Sequence, residues 1–201
     1  MKKLSLKFYN RKDVVEIARD LIGKLLVTEF DGIKTSGRIV ESEAYVAMID
    51  RASHAFGGRR TARNEHMYSA PGTAYVYICY GMHQMFNIVT NKKNIADAVL
   101  IRAVEPIEGI DTMLKRTGKA KQDHKITRGP GNVGKALGIF KKHSGLHLLD
   151  DSIYLLDDGY KVIPTELGVS ARIGVAGAGK DALLPYRFYI RKNPYVSGKR
   201  N

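Results

Sequence analysis

Apolar residues recur along the chain with the periods of both helices and strands. A helix is predicted from Asp13 to Ile22, because Asp13 can cap it, apolar residues return every three or four positions, and Gly23 follows. Strands are predicted at 24–30 and 37–45, joined by a hairpin at Asp31-Gly32, since this dipeptide favours tight turns between antiparallel strands. The chain therefore begins with a helix and a hairpin.

The rest of the chain also contains both predicted strands and predicted helices. Short apolar or alternating runs predict strands at 75–80, 85–90, 98–104, 153–156, 161–163 and 186–191. Helices are predicted at 108–116 and 132–140, and the glycine-rich stretch 56–73 is predicted to be a long loop. No repeat or linker divides the chain. We therefore expect an α+β fold in which residues 1–201 form one domain around a mostly antiparallel sheet with flanking helices.

Two predicted strands contain charged residues where a buried strand would be apolar. Alternation places one set of residues on a single face of the hairpin's second strand: Ile39, Glu41, Glu43 and Tyr45. Arg102 interrupts the otherwise apolar strand at 98–104, and a buried charge is unfavourable unless it is paired. Arg102 therefore requires a partner such as Glu43. The pair could be a structural ion pair or part of a catalytic site, and these residues alone favour neither.

Aromatic residues follow this acidic strand. His54 lies in Asp50-Arg-Ala-Ser-His-Ala-Phe-Gly-Gly58, and Tyr75, Tyr77 and Tyr80 fall within six positions. Cross-strand packing would explain Tyr75 or Tyr77 alone, because both alternate with apolar residues. Together with a nearby acid, they indicate a stacking surface beside a buried acid or base.

The charge of the chain indicates a polyanionic partner. There are 33 Lys and Arg against 20 Asp and Glu, which gives a net charge of +13, and nucleic acid is the leading class of partner. No apolar run approaches the roughly 20 residues of a membrane span, and the N-terminus lacks a signal-peptide pattern. The single cysteine, Cys79, suits a reducing compartment. We expect a cytoplasmic protein, associated with the nucleoid if it is bacterial.

Basic residues are concentrated at 115–142, which holds nine Lys or Arg and one acid. The segment could bind a polyanion or be only a solvated loop. Within it, Gly129-Pro-Gly-Asn-Val-Gly-Lys-Ala136 partly matches two nucleotide-binding motifs, but Ala136 replaces the hydroxyl residue that would hold Mg²⁺, and no convincing strand precedes it. A helix N-terminus that binds a nucleic-acid phosphate is the better interpretation. The His and Cys positions show no metal-ligand spacing, so no metal site is predicted.

Longer motifs connect these features. From about Ala18 to Ser197 the chain resembles the alkyladenine (3-methyladenine) DNA glycosylases of the mammalian type. The densest matches are Arg38-Ile-Val-Glu-Ser-Glu-Ala-Tyr45, Asp50-Arg-Ala-Ser-His-Ala55, Thr61-Ala-Arg-Asn64, 71–82, 98–109, Gly129-Pro-Gly131 and Ala171-Arg-Ile-Gly-Val175. The resemblance implies a curved antiparallel sheet, a monomer without metal or cofactor, and duplex DNA containing damaged purines as the substrate.

The resemblance also implies the chemistry. Glu43 would activate the water that hydrolyses the N-glycosidic bond of a damaged purine, with help from Arg102 and the backbone carbonyl of Ile173. The substrates implied are 3-methyladenine, 7-methylguanine, ethenoadenine and hypoxanthine. No lysine nucleophile is implied, so the product would be an abasic site without strand cleavage.

Further roles follow for the base and the duplex. Tyr45 would stack on one face of the extruded base, with His54 and Tyr77 on the other side, which favours cationic bases through cation–π attraction. Tyr80 would enter the duplex in place of the extruded nucleotide, and Asn87 would clash with the 2-amino group of normal guanine. The residues expected at the DNA backbone are Arg59, Arg60, Arg63, Gly131 and Lys135.

Three positions depart from the family pattern, with Ala47 for a usual Gly, Tyr68 for a common Phe and Asn132 for a common Lys. The loop between Asn87 and Arg102 is also longer than in the mammalian enzymes. None of these departures touches a proposed catalytic role, but the loop length and the missing lysine bear on DNA affinity and substrate breadth. Two other functions also fit the residues. A nucleic-acid-binding module would share the charge and the tyrosines but would not need Glu43 beside Arg102. A hydrolase of a small nucleoside-like substrate would need the acid but not so basic a surface.

Overall fold

One antiparallel sheet organises the chain in the computed structural model, which describes residues 1–198. Its strands are β1 (Lys2–Lys3), β2 (Leu25–Phe30), β3 (Ile33–Tyr45), β4 (Ala74–Cys79), β5 (His83–Val89), β6 (Ala98–Glu108), β7 (Ile153–Asp157), β8 (Leu167–Ser170) and β9 (Arg187–Ile190). The pairings between these strands are antiparallel. The expected α+β fold with a mostly antiparallel sheet is confirmed.

Strand β3 lies at the centre of the sheet. The strand order is β1-β7-β2-β3-β6-β5-β4, and β9 pairs with both β3 and β8. The first half of β3 pairs with β2, and residues 41–43 pair with β9 on that side instead. Because β6 pairs with β3 on the other side, residues 41–43 have a hydrogen-bonded neighbour on each side.

Two bulges interrupt the pairing of β3 with β6 next to Glu41. The register leaves Val40 of β3, and then Arg102 of β6, without a residue opposite. Bulges redirect side chains and break strict alternation. Ile39 accordingly packs in the apolar core, whereas Glu41 and Glu43 both contact Arg102. The predicted shared face is therefore correct for the two acids but wrong for Ile39.

In the described part of the chain, four α-helices flank the sheet: α1 (Leu6–Tyr9), α2 (Val14–Asp20), α3 (Ile110–Thr117) and α4 (Pro130–Leu137). The predicted cap of α2 is confirmed, because the Asp13 carboxylate accepts hydrogen bonds from the N–H groups of Val15 and Glu16 at 2.8 and 3.1 Å. The hairpin turn is also confirmed, with φ of 53° at Asp31 and 73° at Gly32. Within residues 1–198, no helix is long and apolar enough to cross a membrane.

Other boundaries differ from the sequence prediction. Strand β6 continues to Glu108, so the helix expected at 108–116 begins only at Ile110. The strand predicted at 161–163 is wrong, because its apolar Val162 packs with Tyr160 over Gly23 instead of entering the sheet. Strands β1 and β8 and helix α1 were missed, since segments of two to four residues carry too little pattern.

A small apolar cluster supports the long loop that follows β3. It contains Ala47, Ala55, Met67, Tyr68, Tyr75, Val89, Ala96 and Ala98. The loop includes two short 3-10 turns, at Phe56–Gly58 and Glu65–Tyr68. The buried amide of Asn64 donates to the carbonyl groups of His54 and Arg59 at 3.0 and 2.8 Å. Packing and hydrogen bonds therefore fix the segment that carries His54 against β4, β5 and β6.

Candidate active site

A pocket of about 520 Å³ opens between the β4–β5 hairpin, the loop that carries His54 and the start of α4. Most of the predicted site residues meet here, although they are spread over more than 120 positions of the sequence. The predicted residues that line it are Tyr45, His54, Arg63, Tyr77, Tyr80, Asn87, Arg102, Gly131 and Ile173. A concave site with aromatic walls and a few polar groups is typical of ligand pockets.

Glu43 is completely buried directly behind this pocket. Its Oε2 accepts hydrogen bonds from the Tyr45 hydroxyl at 2.8 Å and from Arg102 Nη1 at 3.2 Å. Its Oε1 accepts one from the backbone N–H of Ile173 at 2.8 Å. A carboxylate has about four acceptor positions, so one position on Oε1 is left.

Ile173 contacts Glu43 through a different backbone group from the one expected. The resemblance implied a role for its carbonyl, but the hydrogen bond to Glu43 is donated by its N–H. A carbonyl has no proton to donate to a carboxylate, so only the amide can hold Glu43 directly. The role of the Ile173 carbonyl stays a prediction.

Arg102 connects two buried acids. Its Nε donates to Glu41 Oε1 at 3.0 Å, and its Nη1 donates to Glu43, which confirms the expected Arg102–Glu43 pair. Burial by itself lowers the pKa of Arg102, but the charges of Glu43 and Glu41 outweigh that effect and raise it. Sequence reasoning missed Glu41 as a partner of Arg102. Glu41 also accepts from Arg187 Nε at 2.8 Å and from the N–H and hydroxyl of Ser197.

Aromatic rings form the pocket walls. The rings of His54 and Tyr77 meet edge to face with centroids 4.5 Å apart, and His54 Nδ1 lies 2.9 Å from the Tyr75 hydroxyl. Burial, followed by the charges of Arg63 and Arg59, lowers the pKa of His54, so the ring is neutral at pH 7. Burial raises the pKa of Tyr77 to about 12.

Tyr45 stays a phenol in this environment. Burial raises its pKa far above the ordinary value, and the nearby Glu43 carboxylate adds to the effect. The hydroxyl therefore keeps its proton and can donate it to Glu43. This bond fixes the Tyr45 ring at the edge of the pocket beside the acid.

Tyr80 projects from the tip of the β4–β5 hairpin. Its φ of 50° and that of Gly81, 71°, form the turn, and Tyr80 is 90% exposed. A non-glycine residue with positive φ is strained by roughly 1–3 kcal/mol, and such residues concentrate at functional sites. An unsupported aromatic ring at the pocket mouth is available to an external partner.

Asn87 lies on β5 at the pocket wall and is buried. Its Nδ2 donates to the carbonyl groups of Tyr75 and Met85 at 3.2 and 3.1 Å. These two bonds fix the orientation of the amide.

The residues expected at the DNA backbone differ in their surroundings. Arg63 lines the pocket with its guanidinium 5.8 Å from the Tyr77 ring centroid, and Arg59 is exposed. Arg60 already pairs with Glu65 at 2.5 Å, and that hydrogen bond lowers the pKa of Glu65. A phosphate that binds Arg60 must therefore compete with an existing ion pair.

The interpretation of Gly129-Pro-Gly-Asn-Val-Gly-Lys-Ala136 as a helix N-terminus is confirmed, although α4 begins at Pro130, with Gly129 as its cap, two residues before the predicted start at 132. Gly131 in its first turn lies against the β4–β5 hairpin, where an added Cβ would be 2.6 Å from His83 Nδ1. Lys135 is exposed on the same helix, and its Nζ donates to the Thr117 carbonyl at 3.4 Å. A 3-10 turn at His124–Ile126, not a strand, is the element before α4, which argues against a nucleotide-binding motif.

Sequence reasoning also missed a second buried ion pair. Arg172 pairs with Asp50 through both Nη atoms, and the two positions are 122 residues apart in the sequence. The guanidinium of Arg172 lies 4.7 Å from the centroid of the Tyr45 ring. The only available signal was their occurrence in the two motifs 50–55 and 171–175.

Comparison with known proteins gives a consistent assignment. The family model for methylpurine-DNA glycosylase (MPG) matches residues 7–194. A protein of Clostridium novyi is 45% identical over 208 residues, which cover 99% of this chain and 100% of the relative. Relatives from Alkaliphilus oremlandii, at 43%, and Clostridium perfringens, at 40%, each cover 98% of this chain and are themselves covered completely. All three bear the name "Putative 3-methyladenine DNA glycosylase". With a match over nearly its whole length, the chain belongs to the methylpurine-DNA glycosylase family.

Proposed function

We propose that this protein removes alkylated or deaminated purines from duplex DNA by hydrolysing their N-glycosidic bond, and that it leaves an abasic site. The family and the names of the relatives support a DNA glycosylase that acts on alkylated bases in repair. The observation that carries the mechanism is Glu43, a fully buried acid with one unfilled acceptor position behind an aromatic pocket.

Glu43 acts as the general base. A water bound to the remaining position of Oε1 gives up a proton to Glu43 as it attacks C1′ of the extruded nucleotide, and the C1′–N bond breaks with its electron pair leaving on the base. A cationic base leaves as a neutral purine, and a neutral base leaves as an anion that takes a proton from water. The transition state resembles an oxocarbenium ion, so the same carboxylate also stabilises the positive charge that develops on the sugar. Arg102, Tyr45 and the Ile173 amide hold the carboxylate in place during this step.

The aromatic walls select the base. Tyr45 stacks on one side, and the pair of His54 and Tyr77 forms the other side, so a cationic base gains cation–π attraction. The neutral state of His54 at pH 7 avoids repulsion of such a base. Asn87, held by two backbone carbonyls, excludes guanine through a clash with its 2-amino group.

Tyr80 acts on the duplex. Its exposure and its position at a tight turn support a role as the wedge that fills the gap left by the extruded nucleotide. Arg63, Arg59 and the start of α4 contact the phosphates, together with basic residues of 115–142. We propose that the protein acts as a monomer and needs no cofactor.

Each of the two alternative functions leaves a feature of the structure or the sequence unexplained. A binding module has no use for a buried acid with a free acceptor position behind a pocket. A hydrolase of free nucleosides has no use for an exposed tyrosine at the pocket mouth or for the net charge of +13.

One assay separates the three functions. Duplex oligonucleotides with a single 7-methylguanine, hypoxanthine or ethenoadenine are incubated with excess protein, and abasic sites are then cleaved with alkali. We expect lesion-dependent cleavage and release of the free base, with none from undamaged duplex. Binding without release would support the module, and release only from the free nucleoside would support the small-molecule hydrolase.

A further inference from the structure

The buried charges behind the pocket are balanced. The acids Glu41, Glu43 and Asp50 are at most 1% exposed, and the guanidinium residues Arg102, Arg172 and Arg187 are at most 6% exposed. Each acid binds at least one of these arginines. Loss of one carboxylate would therefore leave a net positive charge in a region that solvent does not screen.

Arg172 is held rigidly within this group. It forms a two-pronged pair with Asp50, in which the second hydrogen bond, from Nη2 to Oδ1, is 2.8 Å. Its Nη1 also donates to the Ala44 carbonyl at 2.9 Å, and its Nη2 donates to the Asp181 carbonyl at 3.0 Å. The guanidinium cannot move away from its position without breaking several hydrogen bonds.

That position is behind the stacking ring. The Arg172 guanidinium packs on the Tyr45 ring at 4.7 Å, and Tyr45 lines the pocket while Arg172 does not. The negative quadrupole of an aromatic ring attracts a cation on either face. A cation already on one face repels a cationic base that stacks on the other face. Arg172 therefore opposes the binding of cationic bases unless its charge is neutralised.

We propose that Asp50 allows the pocket to accept cationic bases by neutralising the charge of Arg172 behind Tyr45. This inference rests on the proposed function and adds a determinant of specificity to it. A base stacked on Tyr45 lies roughly 8 Å from the guanidinium. At an effective dielectric constant of about 20, an unpaired charge at this distance disfavours a cationic base by roughly 10- to 30-fold. A neutral base is unaffected by this force.

The test compares Asp50→Asn with the wild type on two lesions. Single-turnover second-order rate constants are measured for 7-methylguanine, which is cationic, and hypoxanthine, which is neutral, on the same protein preparation. The ratio of the two constants is independent of the folded fraction, so a purely structural role leaves it unchanged. We expect the ratio to fall by roughly 10- to 30-fold.

Two further variants isolate the charge. Asp181→Asn also removes one negative charge, but from a partly exposed carboxylate, which accepts a hydrogen bond from the Arg51 N–H at 2.9 Å. This variant should leave the ratio within about 2-fold of the wild-type value. The double variant Asp50→Asn with Arg172→Met removes both buried charges and should restore the ratio to within about 3-fold of the wild type. An unchanged ratio in Asp50→Asn, or a double variant that remains as low, would overturn the inference.

A failure of the proposed function gives a different result. In that case the wild type releases neither base, and the inference fails with it. If Asp50→Asn does not fold, Arg172→Met is compared with the double variant, since they differ only at Asp50. The ratio should be several-fold higher in Arg172→Met, where the carboxylate attracts a cationic base, and equal ratios would overturn the inference.

Discussion

The surroundings of Glu41 and Glu43 differ although the two acids stand two residues apart on β3. Both are completely buried, and both bind Arg102. Glu41 accepts four hydrogen bonds, three on Oε1 from Arg102, Arg187 and the Ser197 hydroxyl and one on Oε2 from the Ser197 N–H. Glu43 accepts three, and each donor lines the pocket.

The difference separates a structural acid from a reactive one. Burial and an arginine partner are common to both, so neither property marks a catalytic group. The distinguishing feature is the neighbouring cavity, which all three donors to Glu43 line. Among the described donors to Glu41, Arg102 lines the pocket, whereas Arg187 and Ser197 do not.

The largest expected effect is on catalysis at Glu43. Glu43→Gln keeps the size of the side chain but cannot take a proton from water. Single-turnover excision of hypoxanthine should fall by roughly 10²- to 10⁴-fold, the usual contribution of general base catalysis. Affinity for the lesion duplex, measured by fluorescence anisotropy, should change by less than about 5-fold. Excision within a few-fold of the wild type would show that Glu43 is not the base.

The next effect is on stability at Glu41. Glu41→Gln removes the carboxylate that neutralises Arg102 and Arg187 and leaves buried charge uncompensated. Breaking a buried ion pair in this way is destabilising by about 3–5 kcal/mol. Urea unfolding should report a loss of this order. A change below about 1 kcal/mol would mean that Glu41 does not hold the arginines together.

A smaller effect is expected at the exposed end of the site. Tyr80→Ala should weaken excision from a well-paired duplex by roughly 10-fold or more, because the wedge offsets the few kcal/mol needed to extrude a nucleotide. Tyr80→Phe keeps the ring and serves as the matched control, with a change below about 3-fold. The loss in Tyr80→Ala should be smaller for the same lesion in a mismatch or bulge. An equal loss in both contexts would place the role of Tyr80 in the pocket or the fold.

The smallest effect concerns pH. Burial, with Arg63 and Arg59, lowers the pKa of His54 below its ordinary value of 6.5, so His54 is neutral above that pH. As the pH falls below 6.5, the unfolded chain takes up the proton first, and this group reduces stability. Once His54 itself is protonated, it repels a cationic base.

The ratio of 7-methylguanine to hypoxanthine excision should therefore be constant from pH 8 to 6.5 and decline several-fold at lower pH. The ratio cancels any pH effect that is common to both lesions. His54→Gln should remove the decline. A decline of the same size in that variant would assign the pH dependence to another group.

Much of the fold could be predicted from local sequence. The cap at Asp13 and the turn at Asp31-Gly32 depend on neighbouring residues, so both were correct. The bulges at Val40 and Arg102 depend on how two distant strands pair, and no local pattern reports them. The apolar residues of 161–163 were misread because their partner, Gly23, is distant in the sequence.

The site was predicted less completely than the fold. The motifs supplied Glu43 and Arg102, and the rule that a buried charge needs a partner linked them. The same rule could not choose between Glu41 and Glu43, since the outcome depends on Ser197 and Arg187, which are about 150 positions away. The pair of Asp50 and Arg172 was missed for the same reason.

The central claim is that Glu43, and not its neighbour Glu41, performs the chemistry. The most direct test is the single-turnover rate of base release by Glu43→Gln and by Glu41→Gln on the same hypoxanthine duplex, each corrected for the folded fraction. The account predicts that the Glu41→Gln rate stays within about 10-fold of the wild type and exceeds the Glu43→Gln rate by about 10-fold or more. Equal rates for the two variants, or a slower Glu41→Gln, would contradict it.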